Sequence, residues 1–235
     1  MISYENMVPA VFLRRLNRFT AEVELEGRVT LCHVKNTGRC RELLLPGARV
    51  WCQRVDSEKR KTAYSLITVE KDGHFVNLDS QVPNAVAAQW MAGGGAGFTV
   101  TELRREVCYG ASRLDLAFRR GQTPCLMEVK GVTLNRDGVA VFPDAPTERG
   151  TRHIQELVRA AEEGWGAYLL FVAAMDTVDA VRPNWKTDPQ FARALIQAQQ
   201  AGVQLLGVRC RVTENSISAA DRIPVYLDNP GDSPI

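Results

Sequence analysis

The sequence predicts an α/β protein with an all-β first domain, a small OB-like β-barrel followed by a mixed-sheet α/β domain. Three observations carry this. Short alternating apolar and polar runs, punctuated by glycine turns, fill the first part of the chain without a long helical period. A glycine-rich run, Gly93–Gly97, then breaks the pattern. Beyond it, strand-like segments alternate with two helical segments and one continuous apolar stretch, Ala167–Met175.

In the first part, Phe19–Gly27 alternates and turns at Glu26-Gly27 into Arg28–Asn36. ARVWCQRVD, TAYSLITVEKDG and HFVNLDS continue the series, with Asp72-Gly73 as a hairpin turn. Five or six such strands suit a closed barrel, OB-like first and SH3-like as the alternative. Between them, Asn36-Thr37-Gly38 reads as a turn and CRELLLPG as a short helix or helical turn stopped by Pro46-Gly47. Lys35, Arg39 and Arg41 cluster there, as a solvated loop or as a loop that contacts phosphates.

The composition change near residue 82 divides the chain into residues 1–82 and 83–235. Asn84 to Met91 has helical composition, and the glycine run after it is expected to be a flexible break. TELRREVCYG and SRLDLAF follow as strands joined at Gly110-Ala111, then PCLMEVKGVTL and GVAVFPDAP around Asp137-Gly138. A helix is predicted from Thr147 to Glu163, stopped by Gly164. Pro189 behind an Asp N-cap starts another that ends at Gly202, and VQLLGVRCRV reads as the last buried strand.

The bulk numbers describe an ordinary globular chain of 235 residues, 45% hydrophobic and 24% charged. No apolar run approaches the ~20 residues that cross a bilayer, and no secretory signal opens the sequence, so a cytoplasmic location without membrane contact is expected. Six scattered cysteines and three histidines complete no zinc spacing, which points to reduced, partly buried thiols. Net charge is +2; residues 1–82 carry 13 Lys+Arg against 10 Asp+Glu, a small basic excess compatible with nucleic acid.

Chemistry is concentrated in SRLDLAFRRGQTPCLMEVKG. Leu114, Leu116 and Phe118 alternate with Arg113, Asp115 and Ala117, while Leu126, Glu128 and Lys130 share one face of the next strand. Paired as an antiparallel hairpin, the two strands bring Asp115, Glu128 and Lys130 together. Two carboxylates and the Val129 carbonyl are hard oxygen ligands suited to Mg²⁺ or Mn²⁺. Such a cation polarises a phosphoryl oxygen and Lys130 stabilises developing negative charge, which suits phosphodiester hydrolysis. Spacing alone leaves open a simple cross-strand charge pair. In FPDAPTERGTRHIQEL, Thr147 reads as an N-cap with Glu148 in the first turn, and Arg149, Arg152 and His153 lie near the helix start, where phosphate could dock. His153 is a secondary candidate, and Glu106 reads as solvated.

The D…E-x-K hairpin followed by a helix resembles the PD-(D/E)XK, restriction-endonuclease-like superfamily. NTGRCRELLLPG, YGASRLDLAF, MEVKGVTL and FPDAPTERGTRHIQEL together resemble the sugar fermentation stimulation protein (SfsA) family over nearly the full length. That resemblance implies an OB-like barrel and a nuclease-like α/β domain. It also implies DNA binding without sequence preference and a role in regulating maltose-type sugar metabolism. Asp115 would match the motif aspartate, Glu128 the second acid and Lys130 the lysine, with Leu114 in place of proline before Asp115. An active metal-dependent nuclease on DNA or RNA is the alternative reading; the oligomeric state stays open.

Overall fold

The structure is a computed structural model that describes residues 1–36, 38–56, 61–110 and 112–229. The turn position Thr37 and the strand junction Ala111 therefore lie outside the described residues.

The chain opens with β1 (Ile2–Ser3) and then lays down β2 (Met7–Arg15), β3 (Thr20–Leu25), β4 (Arg28–Val34), β5 (Arg49–Arg54), β6 (Tyr64–Lys71) and β7 (His74–Asn77). Along β3, Ala21, Val23 and Leu25 are buried while Glu22 and Glu24 point away, the period of a one-sided strand. β2 pairs with β3 and β5, β3 with β4, and β5 with β6, all antiparallel. Closure comes from a short parallel contact, Cys32↔Tyr64 to Val34↔Leu66, between β4 and β6. Five strands in the ring order β2-β3-β4-β6-β5 make the OB barrel. CRELLLPG forms a single turn, with Leu44 N–H donating to the Cys40 carbonyl and Leu43 and Leu44 buried as a plug.

The second part contains α1 (Val82–Ala92), β8 (Thr101–Tyr109), β9 (Ser112–Arg120), β10 (Thr123–Val132), β11 (Asn135–Arg136), β12 (Val139–Phe142), α2 (Glu148–Glu162), β13 (Gly166–Ala173), β14 (Ala180–Pro183), α3 (Pro189–Gln200), β15 (Gln204–Val212) and β16 (Ser216–Ile223). The main sheet runs β1-β16-β15-β13-β10-β9-β8, with β10, β13 and β15 parallel at its centre. β13 is apolar throughout because it is covered on both sides. Leu169, Phe171 and Ala173 pack with Ile154 and Leu157 of α2 and Leu195 of α3. Leu170 and Val172 pack with Val86 of α1 on the opposite face. Each such fully buried side chain contributes about 1.5–3 kcal/mol of hydrophobic stabilisation before entropic costs. This is the expected mixed-sheet α/β domain.

Three expectations are corrected, on the glycine run, the last strand and Leu114, and the GVAVFPDAP strand finds its place. The Gly93–Gly97 run is a series of hydrogen-bonded turns rather than a loose break; a Cβ on Gly95 would come within 2.1 Å of the Trp90 indole. GVAVFPDAP does not join the main sheet, because β12 pairs with β11 and β14 in a small separate sheet. VQLLGVRCRV is not the last strand; β16 follows and pairs antiparallel with β15. Leu114 does not face the same way as Leu116 and Phe118. It packs in the core with Ala117 and Leu126, so the alternation slips at Asp115.

Candidate active site

β9 and β10 pair as the expected antiparallel hairpin, through Cys125↔Phe118, Leu126↔Ala117 and Met127↔Leu116. There the ladder stops, and the Asp115 side chain takes over the backbone's role. Its Oδ2 accepts the Val129 N–H at 2.7 Å, which lays the carboxylate against β10 between Glu128 and Lys130. Its Oδ1 accepts from Asn84 Nδ2, in the first turn of α1, at 2.7 Å. One carboxylate is thus fixed from two elements.

Glu128 is 3% exposed, so its charge has to be met inside the protein. Its Oε1 accepts from Lys130 Nζ at 2.6 Å and bonds His153 Nδ1 of α2. On the far side of that ring, Arg149 Nε donates to His153 Nε2 at 3.5 Å. A nitrogen that accepts on one side must carry its proton on the other, so Nδ1 donates to Glu128. Both partners crowd onto Oε1. Oε2 is buried and has no hydrogen-bond partner among the described residues.

The two acids are set apart electrostatically. Burial, then the nearby Glu128 charge, pushes the Asp115 carboxyl up, against the Val129 N–H, Lys130 and Asn84. Burial also pushes Glu128 up, but the His153 hydrogen bond and the charge and hydrogen bond of Lys130 outweigh it and hold it below the ordinary range. A divalent cation fits this donor set, since an ionised, half-satisfied Glu128 beside Asp115 and the Val129 carbonyl supplies hard oxygen. No group of three or more His, Cys, Asp or Glu residues among the described residues could hold a metal. The two carboxylates and the carbonyl offer hard oxygen donors without a protein-lined cage around them.

The remaining predicted residues divide. Lys35 does not join the loop arginines, because its Nζ pairs with buried Asp79 at 2.8 Å. Arg39 and Arg41 are exposed and line a cleft of about 720 Å³ between the barrel and the 142–147 loop. Arg152 is exposed on α2, and Thr147 caps that helix as expected, accepting the Gly150 N–H at 3.0 Å. Glu106 is exposed and sits 3.6 Å from Arg113, level with Asp115 in the β8–β9 register.

Sequence reasoning missed Asn84, Arg15 and Arg18, and understated His153. The signal for His153 was available: it lies on the buried stripe of α2 with Gly150, Ile154, Leu157 and Ala160, facing the sheet. Arg15 spends all five guanidinium N–H groups on backbone carbonyls. Nε donates to Asn17, Nη1 to Gly38 and Arg39, and Nη2 to Arg18 and Asn36. It is a clamp that shapes the loop carrying Arg39.

Comparison with known proteins completes the description. The family model "Sugar fermentation stimulation protein RE domain" matches residues 81–216, and the model "SfsA N-terminal OB domain" matches residues 13–78. A sugar fermentation stimulation protein homolog of Desulfitobacterium hafniense (strain Y51) is 47% identical over 226 residues, 96% of this chain and 99% of that one. Its counterpart in Clostridium beijerinckii is 43% identical over 96% of this chain and 100% of that one. The solved structure of Pyrococcus furiosus SfsA in complex with Ca²⁺ superposes with a TM-score of 0.84 at 28% identity, covering 96% of this chain and 98% of that one.

Proposed function

The chain belongs to the sugar fermentation stimulation protein family, and from that premise we propose that its second domain is a divalent-cation-dependent phosphodiesterase acting on nucleic acid, binding DNA without sequence preference. One observation carries the reading. Glu128 is buried, with Oε1 held by Lys130 and His153 while Oε2 has no partner among the described residues. A buried unsatisfied carboxylate oxygen costs about 1–3 kcal/mol, and a ligand that satisfies it removes the penalty. The Ca²⁺ complex of the Pyrococcus furiosus relative supports a divalent cation in this family.

Asp115 and Glu128 would hold Mg²⁺ or Mn²⁺, which supplies a Lewis acid for the phosphoryl oxygen and an acidified water. The protein's own part is positioning. The Val129 N–H and Asn84 hold Asp115 in one rotamer, and His153 holds Glu128 from the opposite helix. Lys130, 12% exposed at its side chain, keeps a cation beside the acids where negative charge grows during attack at phosphorus.

The test is cleavage of single-stranded and duplex DNA and of RNA with Mg²⁺ or Mn²⁺. The wild type should cleave, chelation should stop it, and Asp115→Ala, Glu128→Gln and Lys130→Ala should each lower the rate about 10²-fold or more. Absence of cleavage under all conditions, or equal cleavage by the variants, overturns the reading. The exposed Arg39 and Arg41 favour a second reading, a DNA-binding protein without turnover. Salt-sensitive DNA binding with no hydrolysis in any metal would establish that one.

A further inference from the structure

We propose that the cleft between the barrel and the 142–147 loop is the track for an unpaired nucleic-acid strand, whose phosphates Arg18, Arg39 and Arg41 grip while its bases lie on the apolar lining. This rests on the phosphodiesterase reading above and names the form of its substrate.

The cleft encloses about 720 Å³ and its lining separates by chemistry. Arg15, Arg18, Arg39 and Arg41 supply four positive charges against one acid, Asp144. Arg15 is committed to carbonyls, and Asp144 takes the Arg39 backbone N–H at 3.2 Å. Arg18, Arg39 and Arg41 are exposed, and none pairs with a carboxylate among the described residues. Leu44, Phe142, Pro143, Ala145 and Pro146 supply its apolar lining. A basic edge beside an apolar lining matches a strand whose backbone and base faces are both presented; a duplex shows a cleft only its phosphates.

The cleft borders the start of the helix that carries His153. Thr147 lines it and begins α2; His153, which touches Glu128, is six residues on, about 9 Å at 1.5 Å per residue. That spans two to three stacked nucleotides at about 3.4 Å each. A second cavity of about 210 Å³ shares Gly38, Phe142 and Asp144 with the cleft and reaches Pro83 and Gly131, the neighbours of Asn84 and Lys130. The loop on the barrel side approaches the 142–147 loop closely at Gly38, where a Cβ would sit 2.5 Å from Asp144 Oδ2.

The barrel's sheet face offers no competing track. OB barrels commonly bind strands on their second and third strands, here β3 and β4. Those strands present Glu22, paired with Arg14, and Glu24 opposite Leu31 and Val29, a face with less unpaired positive charge than the cleft. The barrel contributes its loops instead.

The experiment uses the full chain in EDTA, so that binding is read without turnover. Fluorescent single-stranded and duplex 12-mers are titrated across salt, with AMP as a competitor. The strand should bind at least tenfold more tightly than the duplex. Arg18→Ala with Arg41→Ala should weaken it at least tenfold and flatten the log K against log salt slope by about 1.4, two contacts at about 0.7 each. The charge reversals Arg18→Glu with Arg41→Glu should abolish it. Hydrolysis by the wild type of bis(p-nitrophenyl) phosphate with Mn²⁺, an ester too small to need the cleft, tests the hydrolytic reading, and the thermal unfolding midpoint of the alanine pair should match that of the wild type. Equal affinity for strand and duplex, an unaltered slope, or AMP matching the 12-mer in affinity overturns the track, while the chromogenic ester reports separately whether the hydrolytic reading stands.

Discussion

Replacing Arg15 by alanine removes five hydrogen bonds at once, and their cost can be worked out bond by bond. The bonds to the Gly38 and Asn36 carbonyls, both 2.6 Å, are part-buried, and those to Asn17, Arg18 and Arg39 are exposed. Water takes over the three exposed carbonyls, so their net loss is near zero. Each part-buried bond to a charged donor contributes about 1.5–3 kcal/mol. Freeing the arginine side chain returns at most about 2 kcal/mol of rotamer entropy. With that return in full, the expected destabilisation is about 1–4 kcal/mol, read as a fall in the urea midpoint at constant slope. Arg15→Lys should lose nearly as much, because an ammonium with three donors cannot reproduce a planar fork that reaches five carbonyls. A loss below about 0.5 kcal/mol in both variants would refute the clamp. So would full recovery by lysine, which would show that charge alone matters.

Two further outcomes follow from single contacts. Asp188 caps α3 through Oδ1 to the Phe191 N–H and holds the Thr147 N–H through Oδ2, each at 2.9 Å. Asp188→Ala should cost about 2–4 kcal/mol in urea denaturation, a lost cap plus a part-buried orphan N–H, and Asp188→Asn about half of that. Equal stability of the alanine variant and the wild type would show that the two helix starts are held by packing instead. Burial, then the Glu163 carboxylate that accepts its hydroxyl at 2.6 Å, pushes the Tyr109 phenol up to about 12. The folded state keeps a proton that the unfolded chain releases near pH 10, so this contribution to stability is complete below about pH 10 and is lost as pH rises through the folded value. At about pH 10.5, wild type and Tyr109→Phe should show the same phenolate absorbance; an excess in the wild type contradicts the assignment.

The parts of the fold that were legible were those with a local period. Strand alternation, the Asp72-Gly73 and Asp137-Gly138 turns and the α2 and α3 caps all reside in a few neighbouring residues. What escaped depends on contacts distant in sequence. Barrel closure rests on three residue pairs between β4 and β6, which no pattern in either strand announces. β16, Ser216–Ile223, mixes buried and exposed positions without alternation and left no strand signal. The site shows the same division. Asp115, Glu128 and Lys130 were readable because they sit on two strands joined by a tight turn. Asn84 and His153 reach the acids from helices on opposite faces of the sheet, and only the packed fold brings them in. Lys35 was readable as a cation but not as the partner of Asp79, which lies 44 residues away.

The two-residue strand at the beginning of the chain ties the halves together in an unexpected direction. Ile2 and Ser3 pair with Ile217 and Ser216 of β16, outside the barrel that follows them. A chain cut between the barrel and α1 would carry that strand away with the wrong piece. The remaining α/β fragment would present the backbone of β16 as an open edge, a template for sticking to other molecules. On the ribosome the same order means that Ile2 and Ser3 are secured only after β16 has emerged. The barrel can close early, but the seven-stranded sheet is finished by its two most distant segments meeting.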